Sequence, residues 1–165
     1  MPREALLSFD TDRIKEYVFA TGNLRDIRGA SAILDELNRI EMPVKIKEAA
    51  PEAKVVYAHG GSGMFVVSEE NVEKAKSAVE KLYREATVSA TITGVFVKLP
   101  ENTNPDVDIT EVWNILKLRL RAAKERNPEY SVMVTSPLFK LCESCGTFYA
   151  TERFQGPERE EKICR

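Results

Sequence analysis

No apolar run in this chain approaches the roughly 20 residues needed to cross a bilayer. The opening Met1-Pro2-Arg3-Glu4 lacks the marks of a secretory leader. Both absences predict a soluble, cytoplasmic protein with no membrane partner. The charges nearly cancel, since 24 Lys and Arg against 26 Asp and Glu leave a net charge of −2. That excludes a bulk electrostatic drive toward nucleic acid, so any RNA contact has to be local or supplied by partners. Three cysteines, an odd count, do not suit a closed disulfide framework. Internal repeats and low-complexity tracts are missing too. With 43% hydrophobic and 30% charged residues, long disorder and a fibre are excluded, and 165 residues suffice for one core plus a small appendage.

What is present is ordered by two glycines. Gly60-Gly61 separates two short runs, residues 54–59 and 63–67, that are dense in β-branched and aromatic side chains, which predicts a tight β-hairpin. Residues 5–9 read as a first strand ending in Asp10-Thr11-Asp12, and residues 12–19 as a short helix with Ile14, Tyr17 and Val18 inward. After a break at Thr21-Gly22-Asn23, the spacing of Ile33, Leu34, Leu37 and Ile40 predicts an amphipathic helix from Ala30, ended or kinked by Pro43. Ser68 before Glu69-Glu70 reads as the capped start of a helix whose face is Val72, Ala75, Val79, Leu82 and Ala86. Residues 88–99 then read as a strand. The resulting order β-α-β-β-α-β predicts an α+β, ferredoxin-like unit. A further helix carries Ile109, Val112, Trp113, Leu116 and Leu120, with Asp108 and Glu111 as a capping pair, and an extra strand spans 130–135.

The chemistry suggested is phosphoryl transfer. A strand that delivers carboxylates beside a Gly-Gly hairpin is the layout of a palm in which two divalent cations, roughly 3.5–4 Å apart, bridge the reacting oxygens. Asp10 is placed for one ligand and the Thr11 carbonyl for a second. Asp12 is a further candidate, and Lys15 is placed to reach a phosphate. Backbone N–H groups of Gly60, Gly61, Ser62 and Gly63 would donate to a triphosphate, with His59 beside them. Ser62-Gly63 supplies no acid where a second metal ligand is wanted. The plainer alternatives are that Asp10 and Asp12 cap the helix that follows and that Gly60-Gly61 is only a turn.

At these residues the chain resembles the GGDEF nucleotidyl cyclases, whose first strand ends Asp-x-Asp-x-(Phe)-Lys; here Asp10, Asp12 and Lys15 match. More closely, residues 8–17, 24–39 and 57–67 resemble the first palm of the large subunit of type III CRISPR effector complexes. That subunit has two palms, the second usually holding Gly-Gly-Asp-Asp and making cyclic oligoadenylates from ATP. The resemblance implies a degenerate palm that binds ATP with Mg²⁺ or Mn²⁺, pairs with a second palm or other effector subunits, and meets guide RNA only weakly or indirectly, in antiviral defence. Asp10 and Asp12 would be remnants of the catalytic acids. The alternatives are an active cyclase or small polymerase completed by dimerisation, and a scaffold that binds no nucleotide. The cyclases' guanine-reading Asn-Asp is replaced by Val18-Phe19, so guanine specificity has no support.

The tail adds a metal. Cys142-Glu143-Ser144-Cys145-Gly146 is a zinc-knuckle sequence, and Cys164 follows; a second Cys-x-x-Cys needs a cysteine two positions beyond Arg165. The expected division is a palm over residues 1–135 and an incomplete, structural zinc-ribbon arm over 136–165, with the chain a piece of a longer protein. A redox Cys-x-x-Cys is the rival reading, and its helix N-terminus is not foreseen here. Arg25, Arg28 and Arg39 are candidate phosphate or partner contacts. Lys117, Arg121 and Lys124 read as a solvated helix face, with nucleic-acid contact the alternative, and Trp113 as core.

Overall fold

The computed structural model describes residues 3–87, 90–99, 109–126, 140–144, 149–155 and 160–163. The expected strand at 130–135, the Asp108 cap, Cys145 and Cys164 lie outside the described residues. Four strands, β1 (Glu4–Asp12), β2 (Lys54–His59), β3 (Ser62–Ser68) and β4 (Thr91–Lys98), form one sheet. Its order is β2-β3-β1-β4, antiparallel throughout. The helices are α1 (Ile14–Val18), α2 (Leu24–Glu36), α3 (Met42–Ala49), α4 (Val72–Ala86) and α5 (Ile109–Arg126). The chain is thus α+β, with the β-α-β-β-α-β order that the periodicity predicts.

The two-residue alternation of β1 divides the protein into two cores. Ala5, Leu7 and Phe9 face α1–α4 and join Leu37, Met42, Ile46, Phe65, Val79 and Tyr83 in the larger one. Phe9 and Phe65 meet edge to face, their centroids 6.2 Å apart. The other face carries Leu6, Met64 and Val97, covered by Val112 and Leu116 of α5, with Trp113 packed alongside. Because β1 is central and covered on both sides, it reads as a nearly continuous apolar run up to Phe9.

Several boundaries move, each for a local reason. The long helix starts at Leu24, where the Asn23 side chain accepts from the Arg25 N–H at 3.0 Å. Arg25 and Arg28 therefore lie inside it rather than before it. Pro43 does not end it. A π-helical turn, Leu37–Glu41, comes first, and the Met42 N–H reaches back to the Leu37 carbonyl. Pro43 then sits at the start of α3, where it has no N–H to lose. Ser68 does not cap α4, which starts after Asn71. Tyr83, fully buried, replaces Leu82 at the centre of its face.

The Ser68 hydroxyl goes instead to the Glu52 carboxylate at 2.5 Å, which also accepts from the Asn71 amide at 3.1 Å. The Ser68 bond foremost, then Asn71, lowers the Glu52 pKa from 4.5 to about 2. A carboxyl depressed in the folded state stabilises above its unfolded value and loses that contribution as pH falls through its folded value. Glu52→Gln should therefore flatten the decline in stability between pH 4.5 and about 2. Urea midpoints followed down that range test it. Exposure of the carboxylate keeps the effect small, and an unchanged acid limb would count against the assignment.

Candidate functional site

The site is built where the sheet ends in its glycine hairpin. Gly60 and Gly61 have φ of +64° and +82°, so both central residues of the two-residue loop are left-handed. That is the type I′ geometry whose twist suits a hairpin, and Gly enters it without a steric penalty. His59 pairs with Ser62 across the turn, Ser62 with Asp10, and Asp10 with Thr93. Directly opposed residues share a face. A row His59–Ser62–Asp10–Thr93 thus crosses all four strands on the face that α5 partly covers. The His59 ring lies 5.4 Å from Tyr57, and the Ser62 hydroxyl donates to the His59 carbonyl at 3.3 Å.

Asp10 and Asp12 are strand residues on this same face, two apart. They do not cap α1, whose N-cap is Arg13 with no side-chain cap bond. The Asp12 Oδ2 accepts from the hydroxyls of Thr91 and Thr93, at 3.1 and 2.8 Å. The Lys124 Nζ, from α5, donates to Asp10 Oδ2 at 2.7 Å and to the Thr11 carbonyl at 3.1 Å. It also lies 3.1 Å from Asp12 Oδ1, a buried oxygen with no hydrogen-bond partner among the described residues, so that contact is an ion pair rather than an aligned hydrogen bond. The Lys124 side chain is 28% exposed, Asp12 22% and Asp10 46%, so solvent screens these pairs only in part.

The other expected site residues divide. The Thr11 side chain points into the larger core, leaving only its carbonyl at the site. The neighbouring Tyr83 hydroxyl is pushed up to about 12 by burial, which the Thr11 hydroxyl only partly counters. Gly61 accepts from the Thr11 N–H at 2.7 Å, and a Cβ on it would strike Ile14. Gly60 has open space around it. Gly63 faces Met42 and Phe65 in the larger core, away from the row. Lys15 is exposed on α1. Of the cysteines, Cys142 is described and buried. Its segment is tied to α2 by a Ser144–Asp26 hydrogen bond, and Arg25 stacks 4.6 Å from the Phe154 ring of β5 (Glu152–Gln155).

Three oxygens (Asp10, the Thr11 carbonyl and Asp12) form a donor set whose chemistry suits a hard divalent cation. With the Lys124 ammonium against all three, the residues present do not fit one. Among the described residues no group of three or more His, Cys, Asp or Glu side chains is gathered for a metal. Beside Asp10 an open hollow of about 400 Å³ is lined by Lys117, Leu120, Arg121, Lys124 and Glu125. Lys124, Thr91 and Thr93 were not foreseen as partners of the acids. The signal for Lys124 was its place four residues after Leu120, on the apolar side of the helix where a solvated lysine does not belong.

Fold and site together define an α+β protein with a four-stranded antiparallel sheet and a lysine-bridged acidic pair beside a glycine hairpin. No protein-family model matches the chain, and no curated protein matches it. Solved structures do. Csm1 of T. onnurineus superposes with a TM-score of 0.67 at 18% identity, covering 76% of this chain and 20% of that one. A Csm1-Csm4 cassette in complex with one ATP gives 0.65 at 19%, over 76% and 20%. The Csm1-Csm4 subcomplex of a type III-A CRISPR-Csm interference complex gives 0.67 at 18%, over the same shares. The chain has the fold of part of Csm1 and spans about a fifth of the length of these structures.

Proposed function

We propose that this chain is a degenerate, nucleotide-binding palm of a protein like the type III CRISPR large subunit, acting in antiviral defence. The observation that carries the reading is the row His59–Ser62–Asp10 set against a left-handed Gly-Gly turn. Its fold likeness to a Csm1-Csm4 cassette holding ATP supports the choice of nucleotide. ATP lies at the hairpin end of the sheet. The open Gly60 backbone and the Ser62 hydroxyl meet the phosphates, and the Tyr57–His59 pair meets the base. Lys117 and Arg121 line the adjoining hollow and complement phosphate charge. The palm does not turn over alone. Ser62 and Gly63 bring no carboxylate, and Asp10 and Asp12 already share the Lys124 ammonium. Its partners are a second palm and other effector subunits, with guide RNA a weak or indirect contact.

We read the tail as a zinc-ribbon arm. The backbone bonds from Glu143 N–H to the Lys162 carbonyl and from Thr151 N–H to the Ile163 carbonyl support this. They set the Cys142 segment beside β6 (Glu160–Ile163), the strand that precedes Cys164 in sequence.

ATP should raise the melting temperature more than an equal concentration of inorganic phosphate. Saturation near a hundredfold over Kd corresponds to about 2.7 kcal/mol. Arg121→Gln, on a side chain 81% exposed whose ion pair with Glu125 is solvent-screened, should remove the increment and change the melting temperature of the free protein little. No increment over phosphate would leave the scaffold reading. Product formed from ATP by this chain, and lost in Asp10→Asn, would establish the enzyme reading instead.

A further inference from the structure

We infer that Lys124 is this protein's own cation, a tethered ammonium that holds the position at Asp10, Thr11 and Asp12 where a divalent metal would otherwise bind. The inference goes beyond the nucleotide reading and does not depend on it. Three observations carry it. First, the ammonium meets the three oxygens of the would-be cation site together: Asp10 Oδ2 at 2.7 Å, the Thr11 carbonyl at 3.1 Å and Asp12 Oδ1 at 3.1 Å. A lysine has N–H donors and no acceptor. Here it donates to Asp10 and the Thr11 carbonyl and meets Asp12 Oδ1 through its charge alone, so it answers the set as a small cation does. Second, the acids are held in place independently of it. The Thr91 and Thr93 hydroxyls fix Asp12 Oδ2, and β pairing on both sides fixes the Asp10 backbone. The cation site therefore belongs to the sheet, and Lys124 is what fills it.

Third, the lysine is delivered by a docked helix rather than by a free surface chain. Leu116 is buried under the sheet face, and the Arg119 guanidinium donates to the Phe96 carbonyl at 2.7 Å. Both hold α5 so that Lys124, two turns beyond Leu116, comes down on the acids. Ser62, the residue paired with Asp10 on β3, adds no charge. Two carboxylates with one ammonium keep only one net negative charge instead of two, and the ammonium both occupies the position and repels a divalent ion at close range. The missing acid and the added lysine thus point the same way, toward a site that excludes divalent metal.

The test is a Mn²⁺ titration of the full chain, with free Mn²⁺ read by electron paramagnetic resonance. Mn²⁺ prefers carboxylate and carbonyl oxygen, so the thiols of the tail compete poorly. Wild type should bind no more Mn²⁺ than Asp10→Asn does. Lys124→Met keeps an unbranched side chain but removes the charge. It should gain a single site at least about tenfold tighter than any in wild type, and Asp10→Asn added to it should abolish that site. The melting temperature of Lys124→Met should fall without metal and recover as Mn²⁺ is added, while that of wild type stays unchanged. If Lys124→Met does not fold, Lys124→Gln, whose amide still donates to a carboxylate, takes its place in the same titration. Wild type binding Mn²⁺ through Asp10 as tightly as the variant would overturn the inference. So would a folded variant that gains no site.

Discussion

Leu116→Ala is expected to destabilise the protein by about 3 kcal/mol, within the range for a large-to-small change at a packed position. Leu116 is 1% exposed and is the most deeply buried described residue of α5. It fills the second core between Leu6, Met64 and Val97, with Val112 and Trp113 alongside. That core is small, so one side chain carries a large part of the helix's attachment. Leu118→Ala is the control: at 68% exposure it should stay within about 0.5 kcal/mol. Urea unfolding of both variants measures the difference, and amide exchange should show α5 opening before the sheet. Equal midpoints for the two would mean that α5 does not rest on this core.

Gly61→Val is the second large effect, expected to cost about 3 kcal/mol from two sources. A Cβ in the left-handed region costs about 1–2 kcal/mol, and more for a β-branched side chain. Ile14 must also move, since an added Cβ runs into its Cδ1; that atom is the far end of a half-buried side chain, so the shift sits at the low end of overpacking costs, about 1 kcal/mol. The Gly61 carbonyl that receives the Thr11 N–H is displaced with it, which loosens the end of β1 beside Asp10. Gly60→Ala separates the two sources. Among the described residues nothing lies within contact of the Gly60 Cβ position, so only the backbone penalty of about 1 kcal/mol applies. Thermal or urea unfolding that ranks Gly60→Ala at or above Gly61→Val would refute the packing half of the account.

The hairpin was legible because its signal is local. A Gly-Gly pair between two β-rich runs satisfies the turn's positive φ values without help from the rest of the chain, and the structure places the turn at that pair. The four strands were legible for a similar reason, because alternation and β-branched content are properties of neighbours. Local signals misled where another partner competed for the same group. Ser68 looked like a helix cap, but Glu52, sixteen residues away, takes its hydroxyl. Pro43 read as ending or kinking the helix; it does not end it, because a π-helical turn just before it absorbs the missing donor. Lys124 looked like one of three solvated cations, and its partners are more than a hundred residues earlier.

By itself, then, the sequence determined the α+β order of elements, the glycine turn, the acids at the end of the first strand and the absence of acids on the hairpin. Each of these is written in residues a few positions apart. Only the tertiary structure decided which face of the sheet α5 covers, and therefore that Lys124 meets Asp10 and Asp12. An apolar stripe says that a helix has a side to bury, but not which surface will receive it. That choice comes from the shape and composition of the Leu6–Met64–Val97 patch, assembled from three strands, and once α5 settles there its far end delivers an ammonium to the acids. The chemistry of the site is a long-range electrostatic pairing, and such pairings exist only after the surfaces that carry the charges have docked.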